Sequence, residues 1–264
     1  MKQFFLASFN RASEGAISCL RTEMENEELL TYAPKNADYI IAVGDRIETY
    51  DFVLHWFKEN KPIIHLWAGE ISQGTHDEVY RHSMTLMSML QLCTNQTAKT
   101  RVENLCRAVD KVPDAHVIGN VMLDDLSTDT SLVPQKPYHL VLYNPSTVLS
   151  KAEVVKEIEQ IKAITTNSIF PTFWIAPNGD KYSELINPHI THKTLPRPKF
   201  LGLLKHCEKF ITNSSSQYYE APFIMTNGKI VSIGERNKER ESKYANMAEE
   251  NATEKIIDLL RQLT

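Results

Sequence analysis

The sequence predicts an α/β protein with two halves, each built around a mainly parallel sheet. Short β-branched apolar runs such as Tyr39–Val43 and Ile63–Leu66 alternate with segments of helical periodicity, as in parallel strands covered on both faces. The alternation restarts after Ser127–Pro137, a polar stretch of Ser, Thr, Asp and Pro that predicts a linker. We therefore expect domains over residues 1–130 and 138–264, with a ligand in the cleft between them and the terminal helix able to pack back on the first domain.

The first half alternates strand and helix signals along its length. Apolar runs predict strands at Gln3–Phe9, Tyr39–Val43, Ile63–Leu66, Gln91–Thr94 and His116–Ile118. Amphipathic spacing predicts helices at Arg11–Glu25, near Thr49–Asn60, from about Asp77 to Met89, at Ala98–Val109 and, briefly, from Met122. This βαβ order predicts helices on both faces of the sheet.

The second half repeats the pattern. Strands or extended segments are predicted at Tyr138–Tyr143, Thr172–Ala176, Lys209–Thr212, Phe223–Met225 and Lys229–Ile233. Helices are predicted at Lys151–Thr165 and Phe200–His206, from Gln217, and at Asn251–Leu263, where the apolar residues line one face.

Composition excludes several classes of protein. The 264 residues are 42% hydrophobic and 23% charged, with a net charge of −4, which suits a globular protein and argues against a nucleic-acid scaffold. No apolar stretch approaches the roughly 18 residues of a membrane span, and the apolar run in Met1–Phe9 is too short for a signal peptide. We expect a cytoplasmic protein with no nucleic acid or membrane among its partners.

Motifs for metals and common cofactors are missing from the sequence. The four cysteines, Cys19, Cys93, Cys106 and Cys207, have no CxxC or Cys/His ligand spacing, which predicts reduced, mostly buried thiols. GxGxxG, GxxxxGK[ST] and Gly-x-Ser-x-Gly do not occur, so NAD, P-loop and serine-hydrolase chemistry are unsupported. We therefore expect neither a metal nor a cofactor.

Charged residues follow two of the predicted strands in close succession. Asp45 and Arg46 come after Tyr39–Val43, and Glu70 comes after Ile63–Leu66. The next predicted helix opens with further candidates, namely Asp77, Glu78, Arg81 and His82. Any one of these could be a helix cap or a surface charge. As a set, they lie beyond the carboxyl ends of strands and point into the crevice where open α/β sheets bind ligands. They therefore predict a group of residues that carries out acid/base chemistry.

A second candidate site begins at Asn213-Ser-Ser-Ser216, after a short strand. Hydroxyls and free backbone N–H groups at a helix N-terminus suit phosphate oxygens, and Glu220, one turn later, could accept from a ribose hydroxyl. Arg236 and Lys238 are candidate diphosphate partners. The alternatives are a plain serine N-cap and a solvated charged loop.

Taken together, these segments resemble the UDP-N-acetylglucosamine 2-epimerases. The first-half matches are Gly44-Asp-Arg-Ile-Glu48, Ala68-Gly-Glu70, Gly74-Thr-His-Asp-Glu78, Arg81-His-Ser-Met-Thr85 and Gly119-Asn-Val-Met-Leu-Asp-Asp125. The second-half matches follow in the family's order: Asn213-Ser-Ser-Ser216, Glu220-Ala-Pro222 and Gly234-Glu-Arg236. Gly-Asp-Arg combined with Arg-His-x-x-Thr is closer to the hydrolysing branch, which supplies sialic acid and related nonulosonate pathways.

The resemblance implies a GT-B-like architecture, with two Rossmann-like domains facing each other across a nucleotide-sugar cleft. It implies catalytic carboxylates at Asp45, Glu70 and Asp77. The implied UDP and substrate contacts are Ser214, Ser215, Glu220 and Arg236, with Asn144, His82, Arg11 and Arg46. The implied reaction removes the C2 proton of a UDP-N-acetylhexosamine with loss of UDP, and then adds water to give an N-acetylmannosamine-type sugar. A base, an acid and cations for the leaving diphosphate are what such a reaction needs. A homodimer is the candidate assembly.

The chain departs from the family pattern at several positions. Family members run longer, and only about 28 residues separate Arg11 from strand Tyr39–Val43, which predicts a shortened first domain. The family's Gly-Thr-Arg is Phe9-Asn10-Arg11, its Gly-Gly-Glu is Ala68-Gly69-Glu70, and its His-Pro is Asn144-Pro145. An asparagine cannot take a proton. Two alternatives therefore stay open, a GT-B glycosyltransferase that uses a UDP-sugar and a non-catalytic nucleotide-sugar-binding protein.

Three histidines lie within or beside the acidic segment. His65 falls inside an apolar strand and is interpreted as a core histidine whose ring nitrogens are hydrogen-bonded. His76 and His82 flank the carboxylates, and each is as well placed to touch a ligand as to lie on the surface.

Overall fold

The computed structural model describes residues 2–7, 29–30, 34–72, 76–177, 179–193, 195–237 and 251–263. The predicted helix Arg11–Glu25, with Arg11 itself, lies outside the described residues, as does Lys238. The described residues form two compact units. Unit 1 contains those up to Ile71, Asp77–Asp125 and residues 251–263, and unit 2 contains Ser72, His76 and the described residues from 126 to 237.

Unit 1 is built on a parallel sheet with the strand order β2-β1-β3-β4-β5-β6. Its strands are β1 (Phe4–Ala7), β2 (Leu29–Leu30), β3 (Tyr39–Val43), β4 (Ile63–Leu66), β5 (Leu90–Cys93) and β6 (Ala115–Val117). Val43 pairs with Leu66, and Leu66 pairs with Leu92. Because these strands run parallel and in register, the segments that follow β3, β4 and β5 start from one edge of the sheet.

Helices cover both faces of this sheet. They are α1 (Ile47–Lys58), α2 (Asp77–Met87), α3 (Gln96–Arg107) and the C-terminal helix Ala252–Arg261, with a 3-10 turn at Val121–Leu123. Val53 of α1 and Met84 of α2 pack against one face. Ile256 and Leu260 of the C-terminal helix join the core on the other. The carboxylate of Asp124 accepts from the backbone N–H of Thr253 at 2.6 Å and so caps that helix.

Unit 2 contains a parallel sheet with the strand order β10-β9-β7-β8. Its strands are β7 (His139–Leu142), β8 (Thr172–Trp174), β9 (Lys209–Thr212) and β10 (Lys229–Ser232). Its helices are α4 (Lys151–Thr166), α5 (Arg197–His206), α6 (Ser216–Tyr219) and α7 (Ala221–Ile224), with a 3-10 segment at Ser183–His189. A capping box of Ser150 and Glu153 begins α4.

The stretch predicted to be a linker packs against unit 2. Leu132 and Val133 lie against its core, and the N–H of Asp129 donates to the carbonyl of Pro198 at 2.9 Å. Gly202 of α5 lies so close that a Cβ there would be 2.2 Å from the Asp129 carbonyl oxygen. Only glycine allows this approach.

The prediction of extended structure at Phe223–Met225 is wrong for most of that segment. Phe223 and Ile224 belong to α7, which has Pro222 near its start, where the fixed φ of proline suits a helix. Three apolar residues are too few for periodicity to separate strand from helix. The helix predicted from Gln217 is divided in two, because Glu220 leaves helical geometry with φ −130° and ψ −52°. Within the described residues, no helix is long and apolar enough to cross a membrane.

Candidate active site

A buried arginine organises the first group of predicted site residues. Gly44 follows β3 with φ of 83°, in the left-handed region that favours glycine, and Asp45 comes next. Nη2 of Arg81 forms an ion pair with Oδ2 of Asp45, and Nη1 donates to Oε1 of Glu78 at 3.2 Å. The Arg81 side chain is only 2% exposed, and a charge buried this far needs charged partners to be stable. The structure therefore joins the segment after β3 to helix α2.

Three other predicted residues lie around this pair. Nε2 of His82 is 3.4 Å from Oε2 of Glu78, so Glu78 contacts both the arginine and the histidine. Asp77 begins α2, where a carboxylate is stabilised by the helix dipole. Arg46 donates to Glu48 at 3.3 Å in a partly exposed pair. Such a pair contributes about 1 kcal/mol or less.

Glu70 lies beyond β4 and is 1% exposed. The hydroxyl of Thr94 donates to its Oε1, and Nδ2 of Asn95 donates to the Thr94 hydroxyl oxygen at 3.0 Å. Nη1 of Arg101 donates to the carbonyl of Gly69, the residue before Glu70. Sequence reasoning missed Thr94 and Arg101. Thr94 follows β5 directly, so the strand-end argument could have found it, whereas Arg101 carries no comparable signal.

His65 of β4 is fully buried and bridges two of these elements. Its Nε2 lies 2.9 Å from the Gly44 carbonyl oxygen, and its Nδ1 lies 3.0 Å from the hydroxyl of Thr85 on α2. The pKa of His65 is lowered to about 4, chiefly by burial; the Gly44 hydrogen bond opposes this shift, and the nearby His82 adds to it. The ring is therefore neutral near pH 7, and its expected hydrogen bonds are confirmed.

The second group of site residues lies at the carboxyl ends of β7 and β9. The Asn213 side chain brackets the backbone of Asn144, accepting from its N–H at 2.8 Å and donating to its carbonyl at 2.7 Å. Nη1 of Arg236 donates to the carbonyls of Asn144 and Pro145 at 3.2 and 3.3 Å. It also lies 3.9 Å from Oδ2 of Asp180, in a pair that is largely buried. The structure thus brings Asn144, Asn213 and Arg236 together.

The serine run differs from the expected anion site in one respect. The N–H of Ser214 donates to the Thr212 hydroxyl at 2.9 Å, and the N–H of Ser216 donates to the Ser214 hydroxyl at 3.3 Å. The expectation of free backbone N–H groups is therefore wrong for Ser214 and Ser216, because neighbouring hydroxyls take them in local turns. The helix that follows Ser215 has only four residues, so its dipole is small. The serine hydroxyls are the groups that suit a ligand here.

Glu220 has a cationic partner that the sequence did not reveal. Nε of Arg197 donates to Oε1 of Glu220 at 3.1 Å, and both side chains are nearly buried. Burial raises the pKa of Glu220, while Arg197 and the Ser216 hydroxyl oppose that rise by stabilising the carboxylate. Arg197 lies 23 residues before Glu220 at the start of α5, and no local pattern links the two.

One carboxylate of α4, that of Glu157, lies near enough to Arg236 to interact with it electrostatically. The hydroxyl of Tyr143 donates to Oε2 of Glu157 at 2.5 Å, and burial raises the pKa of Glu157. Gly234 has φ of 66°, and a Cβ there would be 2.0 Å from Oε1 of Glu157. Among the described residues, no group of three or more His, Cys, Asp or Glu side chains could hold a metal ion.

Comparison with known proteins gives the family. The family model described as UDP-N-acetylglucosamine 2-epimerase matches residues 18–264. The GDP/UDP-N,N′-diacetylbacillosamine 2-epimerase (hydrolyzing) of Campylobacter jejuni is 27% identical over 77% of this chain and 58% of its own length. The UDP-N,N′-diacetylbacillosamine 2-epimerase (hydrolyzing) of Legionella pneumophila is 28% identical over 80% of this chain and 59% of its own. The chain thus spans less than two thirds of the length of these relatives.

Solved structures share the fold. The S. aureus MnaA–UDP co-structure has a TM-score of 0.65 at 15% identity, covering 98% of this chain and 88% of that one. The Neisseria meningitidis UDP-GlcNAc 2-epimerase bound to UDP-GlcNAc has a TM-score of 0.60 at 13% identity, covering 86% and 76%. The two units with parallel sheets, and the carboxylates that follow β3 and β4, agree with the family-model match. The chain therefore belongs to the UDP-N-acetylglucosamine 2-epimerase family.

Proposed function

We propose that this protein is a hydrolysing UDP-N-acetylhexosamine 2-epimerase. It removes the C2 proton, expels UDP, and adds water to give an N-acetylmannosamine-type sugar and free UDP. The observation that carries the proposal is the pair of acids Asp45 and Glu70, which follow adjacent strands of one sheet, the first ion-paired to Arg81 and the second buried. Asp77 at the start of α2 is the third acid.

The two acids suit different tasks. Asp45 shares a buried guanidinium, and an opposite charge this close favours the ionised carboxylate. We assign it to stabilising positive charge that develops on the sugar. Glu70 accepts a hydrogen bond from the Thr94 hydroxyl and is almost fully buried. We assign it, with Asp77, to proton transfer.

Unit 2 supplies the groups for UDP. Arg236 is held by the carbonyls of Asn144 and Pro145, so little side-chain freedom remains to be lost when a diphosphate binds. The Ser214 and Ser215 hydroxyls, and the Glu220 carboxylate toward the ribose, complete this set. Arg11, Arg46 and His82 stay assigned to substrate on the family resemblance. The proposal thus gives the carboxylate chemistry to residues 1–130 and UDP binding to residues 138–264.

Isotope labelling tests the reaction directly. The protein is incubated in D₂O with UDP-N-acetylglucosamine and, in parallel, with UDP-N,N′-diacetylbacillosamine, because the relatives from C. jejuni and L. pneumophila carry that substrate in their names. The expected products are UDP and a manno-configured sugar with deuterium at C2, read by NMR. A second incubation in H₂¹⁸O should place ¹⁸O at C1 of the sugar. Turnover only with an added sugar acceptor would identify a glycosyltransferase, and UDP binding without turnover would identify a binding protein.

We also propose a cytoplasmic location and a homodimeric assembly. Cys93, Cys106 and Cys207 are free and buried, and unpaired thiols are typical of a reducing compartment. Burial, with the Glu70 carboxylate nearby, raises the pKa of Cys93 to about 12, so this thiol is unreactive. Cell fractionation and light scattering of the purified protein test the two statements.

A further inference from the structure

His65 connects the two elements that carry the Asp45–Arg81 ion pair. It lies on β4, between β3 and β5 in the sheet, and is fully buried. One ring nitrogen contacts the carbonyl of Gly44, the residue immediately before Asp45. The other contacts Thr85, which lies one helical turn after Arg81 and whose hydroxyl is also 3.0 Å from the Arg81 carbonyl. The ring thus spans the same two elements as the ion pair.

The partners of the two ring nitrogens of His65 decide which nitrogen carries the hydrogen. The Gly44 carbonyl can only accept, so Nε2 of His65 must donate to it. In a neutral ring Nδ1 is then an acceptor, and the Thr85 hydroxyl donates to it. The hydroxyl has one hydrogen, so it cannot donate to the Arg81 carbonyl at the same time. Every member of the chain Gly44–His65–Thr85 therefore has a defined role.

We propose that His65 is a positioning residue, which holds Gly44 and Thr85 at the separation that lets Arg81 reach Asp45. The proposal rests on the proposed function, because Asp45 is assigned there to the reaction. Gly44 has a left-handed φ and no side chain to anchor it, so its carbonyl contact fixes how the chain leaves β3 toward Asp45. The Thr85 contact fixes the rotation of α2 about its own axis, and with it the position of Arg81.

A pair of substitutions at Thr85 separates positioning from packing. Thr85→Val keeps the shape of the buried side chain and removes the hydroxyl, whereas Thr85→Ser keeps the hydroxyl and removes a methyl group. Packing alone would make the Ser variant the worse of the two. Positioning makes the Val variant worse. Displacement of a reacting group by about 1 Å can cost about 100-fold in rate, so we expect the kcat of Thr85→Val to fall roughly 10- to 100-fold. The UDP affinity of both variants, and the kcat of Thr85→Ser, should stay near the wild-type values. A Val variant as active as the Ser variant overturns the proposal.

A measurement that needs no turnover keeps this test separate from the proposed function. The ¹⁵N resonances of the His65 ring should report the neutral Nε2–H tautomer near pH 7. The Arg81 guanidinium protons should exchange slowly with water in wild type and in Thr85→Ser, and should lose that protection in Thr85→Val. A ring with its hydrogen on Nδ1, or unchanged Arg81 protection in the Val variant, overturns the positioning role. Absence of turnover in wild type, with these NMR results as expected, refutes the proposed enzyme and leaves His65 holding the ion pair.

Discussion

Replacing Arg81 by methionine is the most direct test of the claim that this arginine organises the first group of site residues. Methionine keeps much of the side-chain length and removes the charge, so Asp45 and Glu78 lose their shared cation. Breaking a buried ion pair from one side typically costs about 3–5 kcal/mol. The Asp45 and Glu78 side chains are 16% and 26% exposed, so water can partly replace the arginine and the lower end applies. We expect the free energy of unfolding to fall by about 3 kcal/mol.

The assay is urea unfolding at pH 7, run as a double-mutant cycle with Asp45→Asn. Removing the Asp45 charge in the Arg81→Met background should recover part of the loss, with a coupling between the two sites of about 1 kcal/mol or more. Arg81→Lys is the matched control, since it keeps the charge and loses the planar two-carboxylate geometry. A loss below about 1 kcal/mol for Arg81→Met, the size expected of a surface pair, would refute the claim that this arginine organises the site.

Four further predictions concern the carboxylates, the UDP groups and pH. Glu70→Gln should keep UDP affinity and lose about 100-fold or more in turnover, measured by steady-state kinetics and calorimetry. Arg236→Ala should weaken UDP binding about 10-fold or more while weakening UMP binding less, because charge-assisted hydrogen bonds contribute about 1.5–3 kcal/mol. Asn144→His should tighten UDP binding below about pH 6.5, where an imidazolium can form. The pKa of His65 lies near 4 in the folded protein and 6.5 without the fold, so the unfolded chain binds the extra proton between these values. The stabilisation that neutral His65 contributes is fully present above pH 6.5, and it falls by up to about 1.4 kcal/mol per pH unit as the pH drops toward 4. When the free energy of unfolding is measured in urea at several pH values, His65→Gln should lack that slope.

Controls make each of these results interpretable. Glu159→Gln, an exposed carboxylate on α4, should behave as wild type in turnover and in UDP binding. Wild-type turnover in Glu70→Gln would remove that residue from the mechanism, and equal losses of UDP and UMP affinity would move Arg236 away from the β-phosphate. If the UDP affinity of Asn144→His does not change with pH, that side chain lies away from the nucleotide. If the stability of His65→Gln depends on pH as that of wild type does, other groups are responsible for the pH dependence.

The apolar strands and the acids that follow them could be predicted from the sequence. Tyr39–Val43 and Ile63–Leu66 are strands at the predicted bounds, because a continuous β-branched run between polar segments is a local signal of a covered parallel strand. Parallel register then sends the segments after both strands to one edge, which is why Asp45 and Glu70 could be singled out. The same argument applied to β5 would have added Thr94.

The partners of these residues were decided by tertiary structure. Arg81 meets Asp45 across 36 residues of sequence, and Asn213 meets Asn144 across 69. Arg197 neutralises Glu220, and the Thr212 and Ser214 hydroxyls take backbone N–H groups that were expected to be free. Periodicity reports which face of an element is buried, since burial repeats along the chain. Whether one polar atom comes within 3 Å of another depends on how packed elements are spaced and rotated, and only the folded chain determines that.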